Sequence, residues 1–161
     1  MPTIPELVEQ LATALKARGQ FMAAAESCTG GLISGACTDL SGSSDWFERG
    51  FVTYSNAAKC EMLGVPAAVI EAHGAVSEPV ARAMAAGAVV NAHAHWSVAV
   101  TGIAGPTGGG AGKPVGTVWF GWATPMGVFT ERQHFDGDRA AVRQATVAHA
   151  LAGLLQRLTN V

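Results

Sequence analysis

Phe21-Met22-Ala23-Ala24-Ala25-Glu26-Ser27-Cys28-Thr29-Gly30-Gly31-Leu32-Ile33 is the stretch that decides the fold. Phe21 to Ala25 is a short apolar run, the signature of a buried strand. Glu26 to Gly31 is polar and ends in paired glycines, a strand-to-helix turn, and a helix follows from Leu32 to Leu40. A buried strand feeding a helix through a glycine turn is the opening of an open α/β sheet.

Upstream, Thr3-x-x-Glu6 with Pro5 reads as a capping box. Leu7, Leu11 and Leu15 then recur at helical spacing, and Gly19 stops the helix. Downstream, Ser41 to Ser44 is a loop and Gly50 to Tyr54 a second strand. Ser55-Asn56 caps a helix through Lys59 to Leu63, which Gly64-Val65-Pro66 ends. Ser77-Glu78-Pro79 opens an Ala-rich helix to about Ala92. Ser97 to Thr101 is a third strand, and Gly102 to Pro114 a glycine-rich loop. Val115 to Ala123 and Val128 to Phe135 form a hairpin, and Asp136-Gly137-Asp138 caps a last helix from Arg139 to Leu158. The first three strands are expected to be parallel because helices connect them, and the hairpin makes the sheet mixed. The expectation is a single domain over 1–161: a three-layer α/β/α sandwich with a mixed, mostly parallel sheet of about five strands.

The chain has 161 residues, 49% of them hydrophobic and only 14% charged, with a formal charge of −2. Phosphate neutralisation needs clustered Lys and Arg, which are lacking, so nucleic acid is not expected as a partner. Ala83 to Val100 is interrupted by Asn91, His93 and His95, so no membrane span is expected. The N-terminus has no basic stretch leading into an apolar run, which argues against a signal peptide. Cys28, Cys37 and Cys60 are odd in number with no CxxC pair, consistent with reduced thiols and a cytoplasmic setting.

Ligands of open α/β sheets bind beyond the carboxyl ends of the strands. The segments expected there are 26–31, Tyr54-Ser55-Asn56, and Thr101-Gly102 with its glycine-rich loop. Ser27 is a candidate nucleophile. Gly30 and Gly31 allow amides to approach a ligand, and the helix start adds about half a unit of positive charge. The same small residues would also serve tight packing alone. Lys59, one of three lysines, stands in the first turn or so of a helix that follows a strand. The dipole and partial burial there disfavour an ammonium, which would make Lys59 a base, although most lysines are solvated. Tyr54, the single tyrosine, would position Lys59 or the substrate, or pack with Trp46 and Phe51.

Cys28 is a rival nucleophile. Arg139, Arg143 and Arg49 are candidate phosphate clamps, with Arg139 preferred and pairing with Asp136 or Asp138 its alternative. The loop is not a P-loop, because Thr107 and Pro114 stand where Gly and Ser or Thr are required, but a phosphate-cradling or lid role stays open. His73, His93, His95, His134 and His149 show no metal-ligand spacing, so neither a metal nor a cofactor is expected.

Ala25-Glu26-Ser27-Cys28-Thr29-Gly30-Gly31, Gly42-Ser43-Ser44 with Trp46-Phe47, Gly50 to Asn56 with Lys59, Gly74-Ala75-Val76-Ser77, Thr101 to Pro106 and Lys113 to Val118 together resemble the CinA C-terminal domain family, the PncC-like nicotinamide-nucleotide amidohydrolases, in that family's order. The resemblance spans about residues 5 to 158. It implies deamidation of nicotinamide mononucleotide to nicotinate mononucleotide and ammonia, in pyridine nucleotide recycling. It also implies a Ser-Lys mechanism on Ser27 and Lys59 with Tyr54 alongside. The candidate substrate-binding residues, read from their positions in the chain, are Glu26, Cys28, Thr29, Gly30, Gly31, Thr101, Gly102, Gly105 and Arg139. A stand-alone form, a homo-oligomer and no metal are further implications. The other function class is a non-catalytic nucleotide-binding or regulatory module linked to competence or DNA damage.

Overall fold

The computed structural model describes residues 2–160. Helix α1 (Ile4–Arg18) starts on the expected capping box, with Thr3 Oγ1 accepting from the Glu6 amide, and ends at Gly19 in the left-handed region. Its Leu7, Leu11 and Leu15 are all buried. Strand β1 (Met22–Glu26) is buried along its whole length. The turn after it leads into α2 (Leu32–Thr38), which stops short of Leu40. A single 3-10 turn, Ser43–Asp45, interrupts the expected loop.

Strand β2 spans Phe47–Val52, earlier than Gly50 to Tyr54. It is an outer strand that buries only Phe51, so Glu48 and Arg49 lie in it without an apolar pattern to announce them. Helix α3 (Asn56–Leu63) is capped by Ser55 and stopped by Gly64, as read. Helix α4 (Ala67–His73) was unassigned from sequence; it spans seven residues and carries no side-chain cap. Helix α5 (Glu78–Ala92) has Ser77 at its cap position, but the Ser77 hydroxyl donates to the Gly74 carbonyl at 2.7 Å and leaves the helix amides alone. Strand β3 (Trp96–Gly102), the hairpin β4 (Thr117–Thr124) and β5 (Gly127–His134), and α6 (Arg139–Thr159) complete the chain. Asp138 caps α6 through the Ala141 amide at 2.9 Å.

The strands lie in the order β2-β1-β3-β4-β5. β1 pairs parallel with both β2 and β3, while β3–β4 and β4–β5 are antiparallel. Four strands therefore run one way and β4 the other, giving the mixed sheet the sequence implied. Alternate residues point to opposite faces of the sheet. Met22, Ala24, Val98, Val100 and Phe120 face a core closed by α1, α2 and α6. Ala23, Ala25, Ala99 and Ala123 face the other core, under α3, α4 and α5. This is the α/β/α sandwich. Alanines on the second face let its helices sit close, and Gly87 of α5 is the tightest instance. A Cβ there would stand 2.0 Å from the Leu63 carbonyl oxygen at the end of α3.

From β1 the chain crosses outward to β2 and later returns to β3 on the other flank. The strand order thus reverses beside β1, and the crevice of such a sheet lies at that reversal. Gly87→Ala is expected to push α3 off the sheet and cost about 1–3 kcal/mol by overpacking. Urea or thermal unfolding measures it, and an unchanged midpoint would show that the contact gives way freely.

Candidate functional site

Ser27 follows β1 directly, with its amide held by the Val100 carbonyl of β3 at 3.1 Å. The side chain thus leaves the sheet between the ends of two strands. Thr53, just past β2, donates its amide to the Glu26 carbonyl at 2.8 Å, which clips the start of α3 to the same place. Ser55 Oγ accepts from the Ala58 amide at 3.0 Å and fixes the first turn of α3. Lys59 on that turn points inward and is 1% exposed.

Lys59 Nζ lies 3.1 Å from Ser27 Oγ, 3.0 Å from the Thr53 carbonyl and 3.2 Å from the Tyr54 carbonyl. As an ammonium it donates to all three. As a neutral amine it keeps two N–H donors on the carbonyls, and its lone pair faces the Ser27 hydroxyl, which then donates to it. Burial drives the amine below its ordinary 10.5, with the Cys28 and Cys60 thiols pulling weakly the other way. Among the described residues no carboxylate forms an ion pair with Lys59 to restore the charge. The pair therefore has the form of a hydroxyl nucleophile with an amine base.

The pair opens into a cleft of about 240 Å³. Its walls are Cys28, Tyr54, Asn56, Thr101, Gly102, Ala104, Arg139 and the Ala75-Val76 segment. Arg139 donates to the Gly105 carbonyl at 2.9 Å and lies 3.4 Å from the Tyr54 hydroxyl. Neither Asp136 nor Asp138 pairs with it among the described residues. Lys59 and Arg139 are the charged residues of the lining, which contains no acid. The lining thus sets one guanidinium, Arg139, apart from the Ser27–Lys59 pair.

Other expectations need correcting. Glu26 does not line the cleft: it is fully buried, and its carboxylate accepts from Thr29 Oγ1, the Ile33 and Ser34 amides and Ser34 Oγ at 2.6–2.9 Å. Thr29 is buried with its hydroxyl spent on Glu26. The N-terminal amides of α2 are thus already taken. Gly30 and Gly31, at φ 56° and 107°, shape the turn and lie outside the lining. Gly105 meets Arg139 through its carbonyl and also lies outside the lining.

Arg143 is no phosphate clamp either. It donates to the Cys28 and Thr29 carbonyls, each at 3.1 Å, and braces the turn. Arg49 pairs with Glu48 at the surface. Cys28 packs in the core on the α1/α2/α6 side, and burial pushes its thiol up to about 11, which disfavours a thiolate nucleophile. The Tyr54 ring is exposed, and it is the backbone carbonyl of Tyr54 that holds Lys59.

Asn56 was placed at the strand ends with Tyr54 and Ser55 but given no role of its own, and the two carbonyls that grip Lys59 were missed from sequence. Ala75-Val76 was quoted as a motif without a role. No histidine lines the cleft, and no group of three or more potential metal ligands exists among the described residues. A depression of about 320 Å³ beyond the hairpin holds Arg157, which stacks on Trp122 and Phe129. No helix of the described residues is long and apolar enough to cross a membrane.

The model of the CinA C-terminal domain matches residues 5–158. The chain belongs to that family. Nicotinamide-nucleotide amidohydrolase PncC of Escherichia coli K12 is 55% identical over 94% of this chain and 93% of its own length. The protein of the same name from Pseudomonas putida is 51% identical over 97% and 98%. Among solved structures, competence damage-inducible protein A (ComA) of Klebsiella pneumoniae superposes with a TM-score of 0.95 at 39% identity, covering 98% of both chains. Family membership and sheet order thus agree with the reading of the glycine turn at 26–31.

The depressed lysine has a consequence for stability. Between the folded value and 10.5 the unfolded chain binds more protons at Lys59 than the folded one, so unfolding free energy rises with pH across that window. Below it, the fold carries the full cost of a buried charge. Lys59→Met removes this dependence. The stability of the wild type relative to Lys59→Met should therefore grow as pH climbs toward 10.5. Urea titrations at stepped pH measure it, and a constant difference would mean an ordinary lysine.

Proposed function

We propose that this chain hydrolyses the carboxamide of nicotinamide mononucleotide, giving nicotinate mononucleotide and ammonia in pyridine nucleotide recycling, with Ser27 as nucleophile and Lys59 as base. The observation that carries the reading is the 3.1 Å contact between a buried amine and a hydroxyl at the floor of a cleft that Arg139 also lines. The names of its relatives in Escherichia coli and Pseudomonas putida support the substrate.

Neutral Lys59 takes the Ser27 proton as Oγ attacks the carboxamide carbon. The amides of Ser27, Gly30 and Leu32 are committed to the Val100, Ser27 and Thr29 carbonyls. The Cys28 amide, next to the nucleophile, is the donor offered to the oxyanion. One such donor is worth on the order of 3 kcal/mol. When the tetrahedral species collapses, the C–N bond breaks and Lys59 returns the proton to departing ammonia. Water then enters, gives a proton to Lys59 as its oxygen attacks the ester carbon, and the ester C–O bond breaks while Lys59 passes that proton to Ser27 Oγ, which restores the hydroxyl and the neutral amine. The pyridinium ring withdraws electrons from the carboxamide, so a neutral amine suffices as base. The phosphate lies at Arg139, with Asn56 and the Gly102 segment along the ribose. Tyr54 backs Arg139, and the reaction calls on no metal or cofactor. A cytoplasmic setting and a homo-oligomer accompany this reading.

Ser27→Ala and Lys59→Met should each cut ammonia release from the mononucleotide by about 10³-fold or more, while Cys28→Ala keeps it. Loss in Cys28→Ala with retention in Ser27→Ala would replace serine by cysteine chemistry. A purely regulatory module would bind the nucleotide and release nothing. Arg139→Ala should raise KM with kcat nearly unchanged, since a phosphate contact is made equally in ground and transition states. Activity of the wild type should rise with pH to a plateau as Lys59 loses its proton. A rate that falls over the same range would exclude a neutral amine as base.

A further inference from the structure

Glu26 is a fully buried carboxylate that the amidase steps above never use. No Lys, Arg or His pairs with it among the described residues. A buried charge of this kind survives only where hydrogen bonds satisfy it. Here there are four, to Thr29 Oγ1 at 2.6 Å, the Ile33 amide at 2.8 Å, the Ser34 amide at 2.9 Å and Ser34 Oγ at 2.7 Å. Every donor belongs to the segment just after the nucleophile. Gly31, at the cap position of α2, has no side chain to cap the helix, so Glu26 supplies the cap from the strand end.

The main chain of Glu26 has a second task. Its carbonyl accepts from the Thr53 amide at 2.8 Å, and the Thr53 carbonyl in turn holds Lys59 Nζ at 3.0 Å. One residue thus fastens the turn that carries Ser27 and the segment that aims Lys59. β2 accommodates the arrangement through Gly50, where a Cβ would stand 2.0 Å from Ser34 Oγ. Any larger residue at 50 would displace one of the four donors.

We propose that Glu26 is a positioning residue for the Ser27–Lys59 pair, acting through the 27–34 turn and without touching substrate. The proposal rests on the amidase reading for its kinetic consequence and on geometry alone for its structural one. Glu26→Gln is the decisive change: the amide keeps the volume and one oxygen acceptor, but in either orientation its NH2 meets a backbone amide, of Ile33 or of Ser34, that has nothing to accept with, and the hydroxyl beside it must turn from donor to acceptor. A displacement of about 1 Å at a nucleophile costs roughly 10²-fold.

The experiment pairs a crystal structure of Glu26→Gln with steady-state ammonia release, using Leu11→Ala as a control for stability lost far from the site. In Glu26→Gln the Ser27 Oγ to Lys59 Nζ separation should open beyond 3.1 Å. Its kcat should fall by about tenfold to a hundredfold with KM held within about twofold. Leu11→Ala should lower the melting temperature while leaving kcat intact. A separation still at 3.1 Å, an unchanged kcat, or a raised KM at constant kcat overturns the proposal, the last by making Glu26 a substrate ligand. Absence of ammonia release from the wild type would count against the amidase reading alone, and the separation in Glu26→Gln would still decide the role of Glu26. If Glu26→Gln does not fold, Gly50→Ala, which presses on Ser34, should open the same separation in a folded protein, and an unmoved pair there likewise overturns the idea.

Discussion

The arrangement of the site follows from one constraint, the burial of the Lys59 amine with only two carbonyls and a hydroxyl around it. An amine so placed has no counter-ion among the described residues, so the low-dielectric surroundings favour its uncharged form. The carbonyls of Thr53 and Tyr54 take its hydrogens and leave the lone pair one direction in which to act. Ser27 stands in that direction. Basicity and aim therefore come from the same three contacts.

The sheet makes those contacts possible. β1 is an interior strand flanked by parallel partners on both sides, so the ends of β1, β2 and β3 meet at one edge. Ser27 leaves β1 there, Thr101 and Gly102 close β3 beside it, and α3 begins just after β2. Thr101 itself is nearly inaccessible, its hydroxyl donating to the Ala75 carbonyl at 2.9 Å. It contributes by holding the 75–76 wall in place. Arg143 does the same from α6, across more than a hundred residues of sequence, by gripping the carbonyls of Cys28 and Thr29. Much of the site's polarity is thus spent on its own architecture, and Arg139, Asn56 and the Ser27–Lys59 pair remain for a ligand.

Local chemistry made the elements legible. The capping box at Thr3, the caps at Ser55 and Asp138, and the stops at Gly19 and Gly64 are short-range signals carried by a few adjacent residues. β2 was less legible because an edge strand exposes both its charges and its backbone. α4 was less legible still, since a seven-residue helix without a side-chain cap lacks the length for a periodic pattern to declare itself. Ser77 marks the limit of such rules: it occupies the cap position, but its hydroxyl finds a better-placed carbonyl at Gly74.

By itself the sequence determined the fold class, the strand-turn-helix at 22–38 and the presence of Ser27 and Lys59 near strand ends, because apolar periodicity and capping are properties of neighbours. Tertiary structure alone decided which polar residues face the cleft. Glu26 and Thr29 sit in the same polar turn as Ser27 yet point into the protein, because the amides opening α2 needed an acceptor and Glu26 was the group within reach. Cys28 and Arg143 were likewise assigned by packing. No local pattern encodes that division, since it depends on where a helix start, a strand end and a distant guanidinium come to rest against one another.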